Sequence, residues 1–300
     1  MENSRRNFLT SISMLAAYSA FPISSFNFGL TKKLKIALVG TGIRGSSFWG
    51  KRLVDEYSDI LEFVGLCDIN PGRLAFAKEY IGTNCSTFID FDEMLKKTKP
   101  DLIIVTTVDA THHQFIIKGL NSGFDVLTEK PLTTDEIKAQ DIINAERKSG
   151  KKLIVGFNYR WSPYSTKIKE LLANNTIGKI TSVDFHWYLN TYHGASYFRR
   201  WHGQKNKGGS LWVHKATHHF DLLNWWLDSD PKEVFAIGDL EFYGKNSSFR
   251  GENCRTCTHK NNCDFYFDIT KDKHLMDLYV ANEEYDGYIR DNCLFREEID

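Results

Sequence analysis

Gly40-Thr41-Gly42-Ile43-Arg44-Gly45 follows the apolar run Leu34-Lys35-Ile36-Ala37-Leu38-Val39 and opens a segment, Ser46 to Tyr57, that reads as helix. Strand, tight glycine turn and helix in that order leave few folds open. The first glycine makes the turn, the second lets backbone approach a phosphate, and the third lets helix pack on strand. The helix N-terminus adds N–H groups and partial positive charge for an anion. A second apolar strand, Leu61 to Cys67, ends in Asp68. That acid comes about 20 residues after the turn, the offset of a carboxylate that binds adenosine ribose hydroxyls. Tight packing alone also selects glycine loops, but strand, turn, helix, strand and acid together point to a bound dinucleotide. Gly40, Thr41, Gly42, Ile43, Arg44, Gly45 and Asp68 are the expected contacts.

Alternation continues to about residue 155. Helices are expected at Ala75–Tyr80, Phe91–Thr98 and Gln114–Ser122, and from an N-cap at Thr134 to Ser149. Strands are expected at Asp101–Thr107, Asp125–Thr128 and Lys152–Val155. The unbroken apolar run at 101–107 is what a parallel strand, buried on both faces, requires. The fold class is therefore α/β: an N-terminal doubly wound parallel sheet of Rossmann type over 34–155. Residues 156–300 change character. Tyr164–Ala173 and Val213–Leu227 read as helices, and Ile180–Tyr188 and Val234–Phe242 as strands with one wet face. This reads as an α+β domain with an open, mostly antiparallel sheet, whose exposed face suits self-association into a homo-oligomer.

Three hundred residues accommodate both domains. Formal net charge is zero, so no basic field favours nucleic acid. The first thirty residues stand apart. Arg5-Arg6 followed by Phe8-Leu9 and a modest apolar run to Phe21 resembles a twin-arginine export signal, and predicts a periplasmic or otherwise exported protein. That run is too short and polar for a membrane span, and nothing after it spans a bilayer.

Glu129-Lys130-Pro131 follows the strand at 125–128, which puts a lysine where ligands meet the carboxyl end of a parallel sheet. With it, the chain resembles the glucose–fructose oxidoreductase/inositol dehydrogenase (Gfo/Idh/MocA) family. The resemblance rests on the turn at 40–45, Cys67-Asp68-Ile69-Asn70, Thr106-Thr107 with His112, Glu129-Lys130-Pro131, Asn158-Tyr159-Arg160 with Pro163, and Gly208-Gly209 leading to His218 and Asp221. It implies a nicotinamide cofactor and chemistry on sugars or polyols. Lys130 and His218 match the catalytic lysine and histidine. Thr106, Thr107, His112, Glu129, Lys130 and Asn158 fall near the nicotinamide half. Asp68 favours NAD over NADP, because a carboxylate repels a 2′-phosphate. Arg160, Tyr192, Trp212, His214 and His218 are the expected substrate contacts.

Two departures stand out. His214 occupies a position where many family dehydrogenases have aspartate, and it shares a helical face with His218 at four residues' spacing. His214 is therefore a third catalytic candidate. Val108 stands where the family has proline, which changes loop shape. Lys130 is expected to stabilise a developing alkoxide while His218 or His214 takes the hydroxyl proton. Net oxidation of a sugar is one outcome. Transient oxidation, elimination of a glycosidic leaving group and hydride return is another, and a non-catalytic NAD- and sugar-binding protein is a third.

Cys254-x2-Cys257-x5-Cys263, with Cys293, forms a separate cluster within an insert at 250–293. Four thiols with a tight first pair suit structural zinc, with His259 as a substitute ligand, or two disulfides, or free thiols. The stop at Phe295–Asp300 reads as early, before the closing strands that the family resemblance implies.

Overall fold

Successive residues of a strand point to opposite faces, so a strand buried on both sides must be apolar throughout. Residues 36–39, 63–67 and 102–105 obey this rule. The strands are Leu34–Val39 (β1), Leu61–Cys67 (β2), Ser86–Phe88 (β3), Leu102–Val105 (β4), Asp125–Glu129 (β5) and Leu153–Gly156 (β6). They form one parallel sheet in the order β3-β2-β1-β4-β5-β6. Ala37, Val39, Ile103, Val105 and Val126 feed the core on one face. Ile36, Leu38, Leu66, Ile104 and Leu127 feed the other. Burying each Val, Leu or Ile among them stabilises the fold by about 1.5–3 kcal/mol, so the two cores carry the half-molecule.

The computed structural model describes residues 32–282 and 291–299. The expected export signal lies outside them. From Leu34 onward the chain forms one compact unit. No helix among the described residues is long and apolar enough to cross a membrane.

The glycine turn leads into a widened π-helical stretch, Arg44–Lys51, continued by Arg52–Tyr57 (α1). The other helices of this half are Pro71–Ile81 (α2), Phe91–Thr98 (α3), His112–Asn121 (α4) and Glu136–Ser149 (α5). Asn70, Asp90 and Asp135 cap α2, α3 and α5 by accepting from Arg73, Glu93 and Lys138 backbone N–H groups. The cap of α5 is thus Asp135, not Thr134. The Thr134 hydroxyl instead accepts from Lys138 Nζ at 3.1 Å. Strand β3 escapes the sequence pattern because it has three residues and only Phe88 is buried.

Beyond β6 come Pro163–Ala173 (α6), Thr191–Arg199 (α7), Lys205–Gly208 (α8), Ser210–His214 (α9) and Thr217–Leu227 (α10). The expected helix 213–227 is broken at Lys215-Ala216, and α7 was not foreseen. The expected strands Ile180–Tyr188 and Val234–Phe242 do not form ladders. A strand exists only through hydrogen bonds to a neighbour, and among the described residues no segment pairs with either. Several of their apolar side chains stay out in solvent, with Tyr188 and Phe235 each 88% exposed, whereas Phe185 packs near Trp226 and Leu240 against a small core. Among the described residues of this half, a single bridge joins Asn253 and Asn292 antiparallel. Further on, Ile269, Leu275, Leu278 and Tyr279 make a small core that includes Ile43 of the glycine turn and Phe76 of α2.

Candidate functional site

In this strand order the chain reverses direction between β1 and β4, and the crevice at their carboxyl ends is where open α/β sheets take ligands. The register brings Val39, Val105 and Thr128 level, so Gly40, Thr106 and Glu129 follow along one edge. Gly40 has φ +90°, and a Cβ there would meet the Thr106 carbonyl carbon at 2.6 Å. A Cβ on Gly45 would meet the Gly40 oxygen at 2.0 Å. Both glycines are required by packing. Gly42 differs: a Cβ there meets nothing within 4 Å, so the middle of the turn faces open space. This is the face a pyrophosphate needs, and the turn fits a dinucleotide. The Thr106 hydroxyl locks the turn by donating to the Gly40 oxygen at 2.5 Å.

Asp68 is buried and turned back on the turn. Its Oδ2 accepts from the Thr41 N–H at 2.7 Å and the Thr41 hydroxyl at 3.1 Å, and its Oδ1 from the Asn70 N–H at 3.0 Å. Three of roughly four acceptor sites are spent on holding the turn. The expected ribose acid is thus first a clamp. Arg44 and Trp49 both donate to Glu129 Oε1, at 2.6 and 2.7 Å. Glu129 was expected beside the nicotinamide ribose, but here it ties the start of the first helix to the end of β5. Ile43 packs into the small core already described rather than facing the open turn.

His112 is buried, with Nδ1 at 2.9 Å from the Pro131 oxygen and Nε2 at 3.1 Å from the Thr107 oxygen. It staples the loop after β4 to the turn after β5, and so fixes the base of Lys130. The Lys130-Pro131 bond is cis. From there Lys130 Nζ reaches α9, where it donates to the His214 carbonyl at 2.8 Å and stands 3.5 Å from His214 Nε2. His214 Nδ1 lies 2.5 Å from Asp109 Oδ2, and both side chains are buried. Asp109 belongs to a 3₁₀ turn, Asp109–Thr111, directly after β4. It was missed in the sequence because its partner lies on α9, far along the chain. An acid immediately after the Thr-Thr-Val loop of a buried strand was the available signal.

His218 is buried on α10, its ring stacked at 4.0 Å and 7° on Tyr159. Its Nδ1 makes no hydrogen bond among the described residues. Burial and then the Lys130 charge push its pKa down to about 2. His214 is held well below its ordinary value, by burial first and Lys130 second. Both imidazoles are neutral at pH 7. Burial also lowers Lys130, against the pull of Asp109 and Glu129. Lys215 is buried and donates to the Tyr159 hydroxyl at 2.7 Å, which supports the ring under His218. Lys130 and His214, far apart in sequence, thus meet directly, and His218 lies near enough to feel the Lys130 charge.

Other expected contacts are spent elsewhere. Arg160 makes a two-pronged ion pair with Asp221, at 2.7 and 2.5 Å, which ties the turn after β6 to α10. Asn158 sits half-buried in that turn. Trp212 stacks on Phe220, and Tyr192 packs against Phe267 in a separate groove. Cys254, Cys257, Cys263 and Cys293 do line one small cavity with Arg199. All six cysteines are free thiols, so neither expected disulfide is formed. Among the described residues no three His, Cys, Asp or Glu side chains are placed to hold a metal ion. The four sulfurs suit zinc in kind but not in placement.

An all-parallel 3-2-1-4-5-6 sheet with a glycine turn at its switch point defines a dinucleotide-binding α/β protein. The chain belongs to the Gfo/Idh/MocA oxidoreductase family: the family's NAD-binding Rossmann domain matches residues 34–157 and its C-terminal alpha/beta domain residues 169–285. The YteT protein of Bacillus subtilis (strain 168), named as an oxidoreductase, is 42% identical over 283 residues, covering 88% of this chain and 66% of YteT. An inositol 2-dehydrogenase/D-chiro-inositol 3-dehydrogenase of Lactiplantibacillus plantarum is 24% identical, covering 67% of this chain and 54% of the relative. This chain thus spans two thirds or less of either. Among solved structures, the WlbA dehydrogenase of Bordetella pertussis, in complex with NADH and UDP-GlcNAcA, matches with TM-score 0.57 at 26% identity. That match covers 66% of this chain and 56% of the WlbA chain.

Proposed function

We propose that this protein is an NAD-dependent oxidoreductase acting at a carbinol carbon of a sugar or cyclic polyol. The observation that carries the reading is the convergence of Lys130, His214 and His218 at the carboxyl edge of the sheet, beside an open glycine turn. NAD, when bound, supplies the hydride acceptor. Gly42 and its neighbours would hold the pyrophosphate, and the Asp68 carboxylate makes that edge unfavourable for a 2′-phosphate, so NAD is favoured over NADP. Lys130 as ammonium stabilises the oxyanion that grows as the hydroxyl loses its proton. His218, neutral and with an unpartnered ring nitrogen, takes that proton. His214 holds Lys130 through its carbonyl. The dehydrogenase names among the relatives and WlbA's bound sugar nucleotide support this substrate class.

The test is NAD reduction at 340 nm with a panel of inositols, hexoses and uronic acids. Activity with any of them that disappears in Lys130→Met supports the reading. Equal rates in the two proteins would refute it.

We also propose export by the twin-arginine route from residues 1–30, since Arg5-Arg6 and the short apolar run fit such a signal. Fusing them to a reporter should export it, and Arg5→Lys with Arg6→Lys should retain it inside. Self-association through the exposed runs carrying Tyr188, Val234 and Phe235 is a further part of the proposal. Light scattering at two concentrations checks it.

A further inference from the structure

The Asp109–His214–Lys130 line has a feature that hydrogen positions decide. His214 presents Nδ1 to a carboxylate oxygen at 2.5 Å and Nε2 to an ammonium nitrogen at 3.5 Å. A neutral imidazole carries one proton. Placed on Nε2, it would point a donor at a donor and leave two acceptors facing each other across 2.5 Å. Placed on Nδ1, it gives a charge-assisted hydrogen bond to Asp109 and leaves the Nε2 lone pair toward Lys130. A doubly protonated ring is disfavoured by burial and by Lys130, Arg200 and Lys215 around it. Burial pushes the Asp109 carboxyl up to about 7, with His112 and Lys130 favouring the anion and Glu129 opposing it.

We propose that Asp109 is a positioning residue of the Lys130 site. It fixes His214 as the Nδ1–H tautomer, so that Nε2 faces Lys130 as an acceptor and orients its ammonium. The carboxylate comes from the loop after β4, in the first half of the chain, and the imidazole from α9 in the second. The pair therefore also registers the two halves across the crevice. The inference rests on the site reading above, but not on NAD or on any substrate.

The test is a long-range ¹H–¹⁵N spectrum of the full chain labelled at histidine. Ten histidines contribute, and His214 is assigned by the ring signals lost in His214→Gln. Wild-type protein should show His214 protonated at Nδ1 at pH 7. Asp109→Asn offers an amide N–H to Nδ1, and should move the ring wholly or partly to the Nε2–H tautomer. An Nε2–H tautomer in the wild type overturns the proposal, and needs no variant at Asp109 to fold. So does an unchanged Nδ1–H tautomer in a folded Asp109→Asn. Where turnover is measurable, Asp109→Asn should lower kcat by up to about 10⁴-fold, the loss seen when the acid behind a catalytic histidine no longer fixes its tautomer, with KM nearly unchanged. A failed oxidoreductase reading abolishes that rate comparison but leaves the spectrum intact, so the two failures are distinguishable.

Discussion

Replacing His218 with phenylalanine should make the protein less acid-sensitive, by about 2 kcal/mol between pH 7 and pH 5. The imidazole is buried against Tyr159 with an unpartnered nitrogen, and burial with the nearby Lys130 and Lys215 charges pushes its folded-state pKa to about 2. In the unfolded chain it titrates near 6.5. Between those values the unfolded state binds the extra proton, so stability falls as pH falls. The contribution is fully present above pH 6.5 and is lost progressively below it. At pH 5 the unfolded ring lies about 1.5 pH units below its midpoint, and about 1.36 kcal/mol per unit gives about 2 kcal/mol. The folded value hardly matters there, because 5 is far above 2. Asp109, pushed up by burial, titrates with the opposite sign, but it is common to both proteins and cancels in the comparison. Phenylalanine keeps the stack on Tyr159 and removes the titration. Urea unfolding followed by tryptophan fluorescence at the two pH values measures the difference. If wild type and variant lose the same stability, His218 is not held neutral and the proton-acceptor role fails with it.

Gly45→Ala should destabilise the fold by roughly 2–4 kcal/mol and abolish NAD binding, because the new Cβ would stand 2.0 Å from the Gly40 oxygen; thermal melts and calorimetric titration check both parts. Lys130→Met should lower the rate of hydride transfer by about 10²–10⁴-fold while NAD affinity changes little, as stopped-flow absorbance with a reactive substrate would show. Thiol counting after denaturation without reductant should read six per chain, and a count of four would show a disulfide in the cysteine cavity.

The Rossmann half was legible because its constraints are local. Parallel strands buried on both faces need apolar runs, and residues 36–39, 63–67 and 102–105 supply them. Turn geometry that only glycine tolerates marks itself, as at Gly40 and Gly45. The second half was less legible. Ile180–Tyr188 alternates like a strand, but alternation names a face and not a partner, and no described segment pairs with it. Lys130 and His218 were singled out through the family pattern. Asp109 was not, because a carboxylate that acts through His214 is defined by a contact between distant segments. Glu129 and Arg160 were identified as functional positions, yet their charges are spent on Arg44 with Trp49, and on Asp221. Residue type and position locate a side chain, and only packing decides what it binds.

The most direct measurement takes the full chain, purified without added nucleotide. Ultraviolet and mass analysis read its NAD content, before and after incubation with NAD. A panel of sugars, inositols and aryl glycosides is then added. Tight NAD at one per chain, stably reduced by at least one polyol or sugar, is the predicted result. No NAD bound and none taken up would contradict the reading of the glycine turn. NAD that stays oxidised while a glycoside is cleaved would contradict net oxidation.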